Sequence, residues 1–520
     1  MRYKFKTKPY HHQREGIRFV FRQWGQGLGA ALLFEPRTGK TKTAIDCLSI
    51  LYHKAGVRKI LVIAPNRVLG TWVEEFHTHC PLMVQTIIWD KDARKRPLPK
   101  TMGPYDLQVV ITNFEAFSTP GRKTRSGRRS KASGRFKHRS LIRDWLGNDY
   151  AAAVIDEGHK IKSPSGSAAN MIVSMRDDFE FRLLLTGTPI TKAHRAHDIY
   201  MLWQWVNPRR FAKWGATVEA FKNHVGVWTQ KHGFPQWLRA RDQGMRDLQK
   251  GIHADGMVVR REDCFDLPPR SERIIPVMLT PTTAAHYQEM AGEMVTLLQS
   301  GKVAEASIPL VVTLRLLQMT SGFVGVQEER VINGKKKLVS IPQVISHEKL
   351  DALKEILEEE VLEREEKVVI AARFKYDLTS IEALCRKLKI PVWAIRGGIS
   401  RSDTDRAIRA FRTHTDGPGA IVMQPSAGSL GIDLSTANHM IWYSLTHSWV
   451  DWTQACDRIA LSKNPTTFTY LQVPGSVDSL VYNALMNDTD VSRMILSNPG
   501  SILLGGKNET PNRRGSRRRG

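Results

Sequence analysis

The chain has 520 residues, which is too long for a single hydrophobic core, so we expect two or three domains. Hydrophobic residues make up 41% of the sequence, which excludes an intrinsically disordered class. Lys and Arg number 77 against 51 Asp and Glu, giving a formal net charge of +26. This excess favours a polyanionic partner, with nucleic acid the first candidate. A basic surface without a specific partner is the simpler alternative.

Membrane and metal-site signals are weak. No apolar run approaches the ~18 residues of a membrane span, and the five cysteines include no C-x-x-C pair of the kind found in zinc ribbons. Residues 77–80 (His-Thr-His-Cys) could supply metal ligands, but they follow a helical pattern and lack a second ligand cluster, so we interpret them as a polar helix end. We therefore predict a soluble, cytoplasmic protein with no membrane partner.

Two series of short apolar runs bounded by turn residues predict two parallel α/β sheets. The runs lie at residues 60–64, 109–112, 152–155 and 183–186, and again at 368–372, 421–423, 440–443 and 468–473. The segment between the series is helical in pattern and rich in Trp. We favour packing over base stacking for these tryptophans. The predicted domains are 1–190, a helical insertion and connector at 191–345, and 346–490, followed by a flexible basic tail at 491–520.

A first strand-terminal segment indicates a nucleoside-triphosphate site. The apolar run 30–34 leads into the sequence Glu-Pro-Arg-Thr-Gly-Lys-Thr and then into a helical pattern. Thr38 and Gly39 allow backbone N–H groups to approach the phosphates. Lys40 supplies an ammonium for the β- and γ-phosphates, and Thr41 supplies a hydroxyl for Mg²⁺. The residues therefore predict a bound nucleoside triphosphate with Mg²⁺, and the family resemblance described below implies that this nucleotide is ATP.

A second strand-terminal segment supplies the carboxylates that such a site needs. The run at 151–155 leads into Asp156 and Glu157. We expect Asp156 to hold Mg²⁺ through water and Glu157 to orient the attacking water. Together with Lys40 these are predicted catalytic residues.

Further motifs follow in a characteristic order. They lie at residues 10–13, 64–66, 111–113, 185–189, 260–263, 314–318, 348–350, 426–434 and 454–458. The constellation resembles helicase superfamily two and, in detail, the Swi/Snf ATPases that translocate on double-stranded DNA. The resemblance covers about residues 10–485 and implies an α/β fold of two RecA-like parallel-sheet lobes with a helical insertion between them. It also implies a DNA partner and is closest to compact bacterial or phage members.

The resemblance implies roles for single residues. Gln13 is expected to read the adenine edge, and residues 185–189 are expected to couple hydrolysis to lobe motion. The implied nucleic-acid contacts are Pro65, Asn66, Thr112, Asn113, Ser426, Ala427 and Gly428. The implied nucleotide contacts of the second lobe are Gly431 and Asp433. Gln454 and Arg458 complete the catalytic set, with Arg458 acting on the γ-phosphate as an arginine finger.

The chain departs from the family pattern at two positions. Leu461 stands where a second arginine finger is usual, and losing such a charge lowers turnover on the order of 10³-fold. Arg37 stands in the phosphate loop where glycine is common. We hypothesise that Arg37 replaces the missing charge, with Lys463 as the rival candidate. The simpler reading is that Arg37 faces solvent or an acid.

Two alternative functions remain open. One is a helicase that uses the same ATPase lobes to unwind or anneal forks, single strands or RNA. The other is a DNA-binding remodelling module with very weak ATPase activity, motivated by Leu461. Two basic segments, 121–140 and 511–520, lack the apolar residues needed to pack, so we expect them to be disordered and to contact phosphates or aid solubility.

Overall fold

The computed structural model describes most of the chain, in two compact units, Met1–Asp266 and Leu267–Gly520. The described residues are 3–90, 93–118, 135–187, 189–190, 193–215, 217–231, 234–266, 268–299, 308–332, 335–426 and 432–487. Among them, no helix combines the length and the hydropathy that crossing a bilayer requires.

The first unit is an α/β lobe with an appended hairpin. Its helices are α1 (His11–Gly25), α2 (Lys40–Ala55), α3 (Leu69–His79), α4 (Arg135–Leu146), α5 (Ser167–Ser174), α6 (Ile199–Val206), α7 (Val218–Val225) and α8 (Asp242–Asp255). Its strands are β1 (Ala30–Phe34), β2 (Lys59–Ala64), β3 (Val84–Ile88), β4 (Leu107–Asn113), β5 (Ala151–Asp156), β6 (Phe181–Leu185), β7 (Gly226–Lys231), β8 (Phe234–Ala240) and β9 (Gly256–Val259).

A parallel sheet forms the centre of this unit, in the order β3-β4-β2-β5-β6-β1-β9. Strands β1, β2, β4 and β5 are buried along their whole length, as expected for a parallel sheet covered on both faces. Side chains alternate between two apolar layers: Leu32 packs in the layer of α1 to α3, and Leu33 in the layer of α4 to α6 and α8. All carboxyl ends of the strands therefore lie at one edge, where ligands bind in open α/β sheets.

The second unit repeats this architecture. Its helices are α9 (Pro281–Gln299), α10 (Ile308–Thr320), α11 (Glu348–Ile356), α12 (Lys375–Lys387), α13 (Arg401–Thr413), α14 (Trp449–Cys456) and α15 (Val477–Met486). Its strands are β10 (Arg270–Pro276), β11 (Phe323–Ile332), β12 (Lys335–Val344), β13 (Lys367–Ala371), β14 (Val392–Ile395), β15 (Gly419–Met423), β16 (His439–Trp442) and β17 (Thr466–Gln472). The parallel sheet has the order β10-β17-β16-β13-β15-β14, with apolar layers on both faces.

The two predicted parallel sheets are confirmed, and every apolar run of the two series coincides with a strand or overlaps one. The segment 191–345 contains the expected helices but also strands that its sequence pattern did not predict. It supplies the edge strands β9 and β10 and the antiparallel ribbons β7–β8 and β11–β12. The boundary between the two units falls inside this segment.

The tryptophans of the insertion pack as we favoured. Trp203 and Trp205 are buried in the first unit, and Trp228 meets Trp237 edge to face across the β7–β8 hairpin. Trp203 Nε1 also donates to Asp255 Oδ2 at 3.1 Å, which fixes α6 to the end of α8.

The expectation of a disordered loop at 121–140 is wrong for its last residues. Helix α4 begins at Arg135, and His138 Nδ1 lies 2.6 Å from the carbonyl oxygen of Ala116. Arg139 Nη2 donates to the carbonyl oxygen of Ser174 at 2.9 Å. These contacts order the helix despite its basic composition. Residues 121–134 and the tail at 491–520 lie outside the described residues.

A buried ion pair joins two helices of the second unit. Lys349 Nζ lies 2.6 Å from Asp478 Oδ2, and both side chains are 2% exposed. The carboxylate also accepts from Thr320 Oγ1 at 2.9 Å and from the backbone N–H of Val473 at 3.2 Å. The motif at 348–350 therefore contributes to the stability of this unit.

Removing the lysine of this pair leaves an uncompensated buried carboxylate. We expect Lys349→Ala to lower the free energy of unfolding of the second unit by about 3–5 kcal/mol. Lys354→Ala, in the half-exposed pair with Glu358, is a matched control that we expect to change it by less than about 0.5 kcal/mol. Urea unfolding followed by circular dichroism measures both. Equal midpoints for the two variants would contradict this assignment.

Candidate nucleotide-binding site

The phosphate loop, residues 35–41, connects β1 to α2 at the carboxyl edge of the first sheet. Gly39 has a φ of +85°, and a side chain there would place its Cβ 2.1 Å from Gln13 Nε2, so only glycine fits. Thr38 is buried, and its Oγ1 donates to the carbonyl oxygen of Glu35 at 2.8 Å. The loop thus presents the N-terminal N–H groups of α2, a geometry that binds phosphate.

Lys40 is the first residue of α2, and its Nζ donates to the carbonyl oxygen of Phe34 at 2.9 Å. Thr41 follows it and is half-buried. The ammonium is held by one backbone carbonyl at the root of the loop. It can therefore exchange this contact for phosphate oxygens without leaving the site.

The motif at residues 10–13 packs directly on the phosphate loop. Gln13 is buried, and its Nε2 donates to the carbonyl oxygen of Thr38 at 3.3 Å. Its Oε1 accepts from the backbone N–H of Tyr10 at 3.0 Å, and His12 Nε2 lies 2.8 Å from the same Thr38 oxygen. The predicted adenine contact stays a prediction, but the structure ties Gln13 to the loop that holds the phosphates.

Asp156 ends β5, which is separated from β1 by a single strand, β6. Its Oδ2 accepts from Trp72 Nε1 at 2.9 Å, and its Oδ1 accepts from the backbone N–H of Glu157 at 2.9 Å. Burial and the negative charge of Glu157 raise the pKa of the Asp156 carboxyl to about 6. The Trp72 hydrogen bond and the Lys40 charge act in the opposite direction, which places Lys40 near this carboxylate.

Glu157 adopts a left-handed backbone conformation with φ of +52°. Its Oε2 lies 3.1 Å from His159 Nδ1, so a protonated imidazole would form an ion pair with it. The next residue is glycine, and a larger residue would be crowded there because its Cβ would lie 2.5 Å from Leu184 Cδ1. The turn after β5 therefore keeps the two acids at adjacent but differently oriented positions.

Arg37 also has a left-handed conformation, with φ of +69°. A non-glycine residue in this region costs about 1–2 kcal/mol. The backbone therefore explains why glycine is common at this position.

The loop after β6 touches the phosphate loop. A Cβ at Gly187 would lie 2.9 Å from Pro36 Cδ and 3.1 Å from the carbonyl oxygen of Phe34. The backbone N–H of Thr186 donates to the carbonyl oxygen of Leu32 at 3.2 Å. The loop at residues 186–187 is therefore packed against the phosphate loop, and its coupling role stays a prediction.

Two of the predicted nucleic-acid contacts meet at the carboxyl ends of β2 and β4: Asn113 is the last residue of β4, and Asn66 follows β2. Asn113 Nδ2 donates to Asn66 Oδ1 at 3.0 Å, and Asn113 Oδ1 accepts from Arg94 Nη2 at 2.9 Å. Asn66 is exposed and Pro65 is half-buried. Sequence analysis missed Arg94, because nothing in its local pattern links it to Asn113.

The predicted contact from Thr112 is corrected by the structure. The side chain is fully buried, and its Oγ1 donates to the carbonyl oxygen of Trp89 at 2.8 Å. The Thr112 side chain is packed inside the lobe, so it supports the strand and does not face a ligand.

In the second unit, Arg458 and Gln454 are buried together. Arg458 Nε donates to the carbonyl oxygen of Gln454 at 2.8 Å, and its Nη1 donates to that of Ile432 at 3.1 Å. The guanidinium thus links the end of α14 to the loop at 432–434. Its role as an arginine finger stays a prediction.

The remaining second-unit residues lie in the loops around β15. Asp433 Oδ1 accepts from the backbone N–H of Ser435 at 3.0 Å, and Ser426 is exposed. Ala427, Gly428 and Gly431 lie outside the described residues, so their predicted contacts are untested.

The donor set suits magnesium. A threonine hydroxyl at the start of α2 and a buried carboxylate at the end of β5 are oxygen ligands, which Mg²⁺ prefers while retaining several waters. Both oxygens of Asp156 already accept an N–H, which fits contact through water. The described residues contain no cluster of three or more His, Cys, Asp or Glu that could hold another metal, and His79 at residues 77–80 instead lies 2.6 Å from Thr7 Oγ1.

The SNF2-related domain matches residues 12–321, more than half of the chain. The chain belongs to the SNF2 family. The helicase conserved C-terminal domain matches residues 348–461. The predicted membership of helicase superfamily two is thereby confirmed, and helicase-like domains of the SNF2 family are DNA-dependent ATP hydrolases.

Similar proteins span several organisms. Protein CHROMATIN REMODELING 4 of Arabidopsis thaliana is 22% identical over 95% of this chain and 21% of its own length. The DNA repair and recombination protein RAD54-like of Gallus gallus is 22% identical over 87% of this chain and 62% of its own length. The Sulfolobus solfataricus SWI2/SNF2 ATPase core in complex with dsDNA is 19% identical, with a TM-score of 0.41 over 97% of this chain and 98% of that one. The chain thus spans less than two thirds of the length of the Arabidopsis thaliana and Gallus gallus relatives.

The titration of Asp156 predicts a pH dependence of magnesium binding. Because the pKa is raised to about 6, the carboxyl takes up a proton as the pH falls through that value and loses its capacity to hold the metal. We expect magnesium-dependent nucleotide binding to weaken between about pH 8 and about pH 5. Asp156→Asn is the control, because it retains every other titration of protein and nucleotide. Identical pH profiles for the two proteins would exclude Asp156 as the titrating group.

Proposed function

We propose that the chain is an ATP-dependent motor that translocates on double-stranded DNA without sequence specificity. The observation that carries the proposal is the joint placement of Lys40 and Asp156 at the carboxyl edge of one parallel sheet. At the same edge, Asn66 and Asn113 meet at the carboxyl ends of neighbouring strands. Family membership supports the same function.

Each residue has a task in this proposal. Lys40 would exchange the carbonyl of Phe34 for the β- and γ-phosphates, and Thr41 and Asp156 would hold Mg²⁺. Magnesium, when bound, neutralises charge on the phosphate oxygens. Glu157 orients the attacking water. Contacts from Asn66 and Asn113 to phosphates explain why the motor would not read sequence.

Arg458 joins the site only if it exchanges its present partners. It must leave the carbonyl oxygens of Gln454 and Ile432 to reach a γ-phosphate. Such an exchange would make hydrolysis depend on the position of the second lobe, which is how nucleotide turnover would drive stepping.

Comparing polymers at a fixed salt concentration tests the proposal. We expect duplex DNA to stimulate ATP hydrolysis more than single-stranded DNA, forks or RNA of equal length, and Lys40→Ala to abolish the stimulated rate. Preferential stimulation by forks or RNA, together with strand separation, would favour the helicase alternative. Tight duplex binding without stimulated hydrolysis would favour the remodelling module.

The charge that replaces the missing arginine at Leu461 can be found by substitution. If Arg37 supplies it, Arg37→Ala lowers kcat by on the order of 10³-fold and changes nucleotide affinity little. Lys463 is exposed, and Lys463→Ala is the matched test of the rival. Arg37→Gly separates the lost charge from backbone strain, because glycine tolerates the left-handed conformation. An equal loss of affinity and kcat in Arg37→Ala would sink the hypothesis.

A further inference from the structure

Trp72 is buried in the first unit, with 1% of its surface exposed, and it is far in sequence from the site it touches. Its Nε1 donates to Asp156 Oδ2 at 2.9 Å across 84 positions of the chain. The indole packs against Phe76, one helical turn onward, with ring centroids 6.0 Å apart. The N–H is therefore fixed in direction by the packing of α3 on the sheet.

This hydrogen bond helps to fix the orientation of the Asp156 carboxylate. The other oxygen of the carboxylate accepts from the backbone N–H of Glu157, so the two donors hold the carboxylate from both ends. A group that orients a metal-binding carboxylate typically changes metal affinity or activity by about 10–100-fold when it is removed. The donor here comes from a helix that contributes no metal ligand itself.

The short turn that immediately precedes this helix lies at the proposed nucleic-acid edge. Asn66 opens the short helical turn Asn66–Val68 that runs directly into α3. Its Oδ1 accepts from Asn113 Nδ2, and it is exposed. The turn that contains Asn66 is followed directly by α3, so a displacement of this turn can be passed to α3 and to the indole N–H that holds Asp156.

We propose that Trp72 is a positioning residue that holds Asp156 and links the metal site to the Asn66 edge through α3. The inference rests on the proposed function, because it assumes that Asp156 acts on magnesium and that Asn66 meets nucleic acid. Trp72 touches neither ligand and acts through the carboxylate. Binding of duplex DNA at Asn66 then changes the orientation of Asp156 and raises the rate of hydrolysis.

The first measurement is magnesium-dependent binding of a fluorescent ATP analogue in the absence of DNA. We expect Trp72→Phe to raise the half-saturating magnesium concentration about tenfold. Trp203→Phe is the matched control, because Trp203 is equally buried in the same unit and donates to another buried carboxylate, Asp255. We expect its magnesium dependence to be unchanged. A purely structural role would lower the melting temperature of both variants and shift neither curve.

A second substitution separates the hydrogen bond from packing. Site-specific replacement of Trp72 by 3-benzothienylalanine keeps the ring shape and exchanges the N–H for sulfur. We expect the same rise in half-saturating magnesium as in Trp72→Phe, with a melting temperature close to that of the wild type. A wild-type magnesium curve in this protein would overturn the positioning role.

The third measurement tests the link to nucleic acid. At saturating magnesium and ATP, we expect the ratio of duplex-stimulated to basal hydrolysis to fall about fivefold in Trp72→Phe and to be retained in Trp203→Phe. An unchanged ratio would overturn the link through α3. A wild-type protein without magnesium-dependent nucleotide binding would instead overturn the proposed function, so the two failures are distinguishable.

Discussion

The central physical constraint is the position of the Asp156 carboxylate at the end of β5, buried and held by two N–H donors. A carboxylate taken out of water is expensive unless its charge is compensated. The Lys40 charge and the Trp72 hydrogen bond offset part of this penalty, but burial and the negative charge of Glu157 still raise the pKa of the Asp156 carboxyl to about 6. A divalent cation would remove the remaining penalty. At neutral pH, above this pKa, the carboxyl is mostly ionised and therefore able to bind magnesium.

The parallel sheet makes this arrangement possible. Because every strand of the first sheet runs in one direction, β1, β5 and β6 deliver the phosphate loop, the acids and the Thr186 loop to one edge. Gln13 and Gly187 then contact the phosphate loop from two sides. Arg37 and Glu157, the two non-glycine residues with positive φ among the described residues of the first unit, both lie at this edge. In the second unit, Arg458 is held by backbone carbonyls, a contact that a phosphate could replace.

The fold and much of the site were predictable because they depend on local patterns. Buried strands appear as apolar runs, and a strand followed by Gly39, Lys40 and Thr41 indicates a phosphate loop in any context. The contacts that were missed join distant parts of the chain. A tryptophan in an apolar helical pattern indicates packing, and nothing near Trp72 shows that its N–H meets Asp156 84 positions away. Thr112 was misassigned because a motif gives order along the chain, whereas packing in the folded lobe decides which side chain is buried. Strands β7 to β12 were missed because short or exposed strands lack a continuous apolar run.

The central proposal is that Lys40, Asp156, Glu157 and Arg458 all act on one magnesium-bound nucleotide. The most direct measurement is the structure of the full chain with Mg²⁺, a non-hydrolysable ATP analogue and duplex DNA. We predict that Lys40 leaves the Phe34 carbonyl for the phosphates, that Asp156 keeps its Trp72 hydrogen bond beside the metal, and that Arg458 contacts the γ-phosphate. A nucleotide bound at the phosphate loop while Arg458 retains its hydrogen bonds to Gln454 and Ile432 would contradict the account.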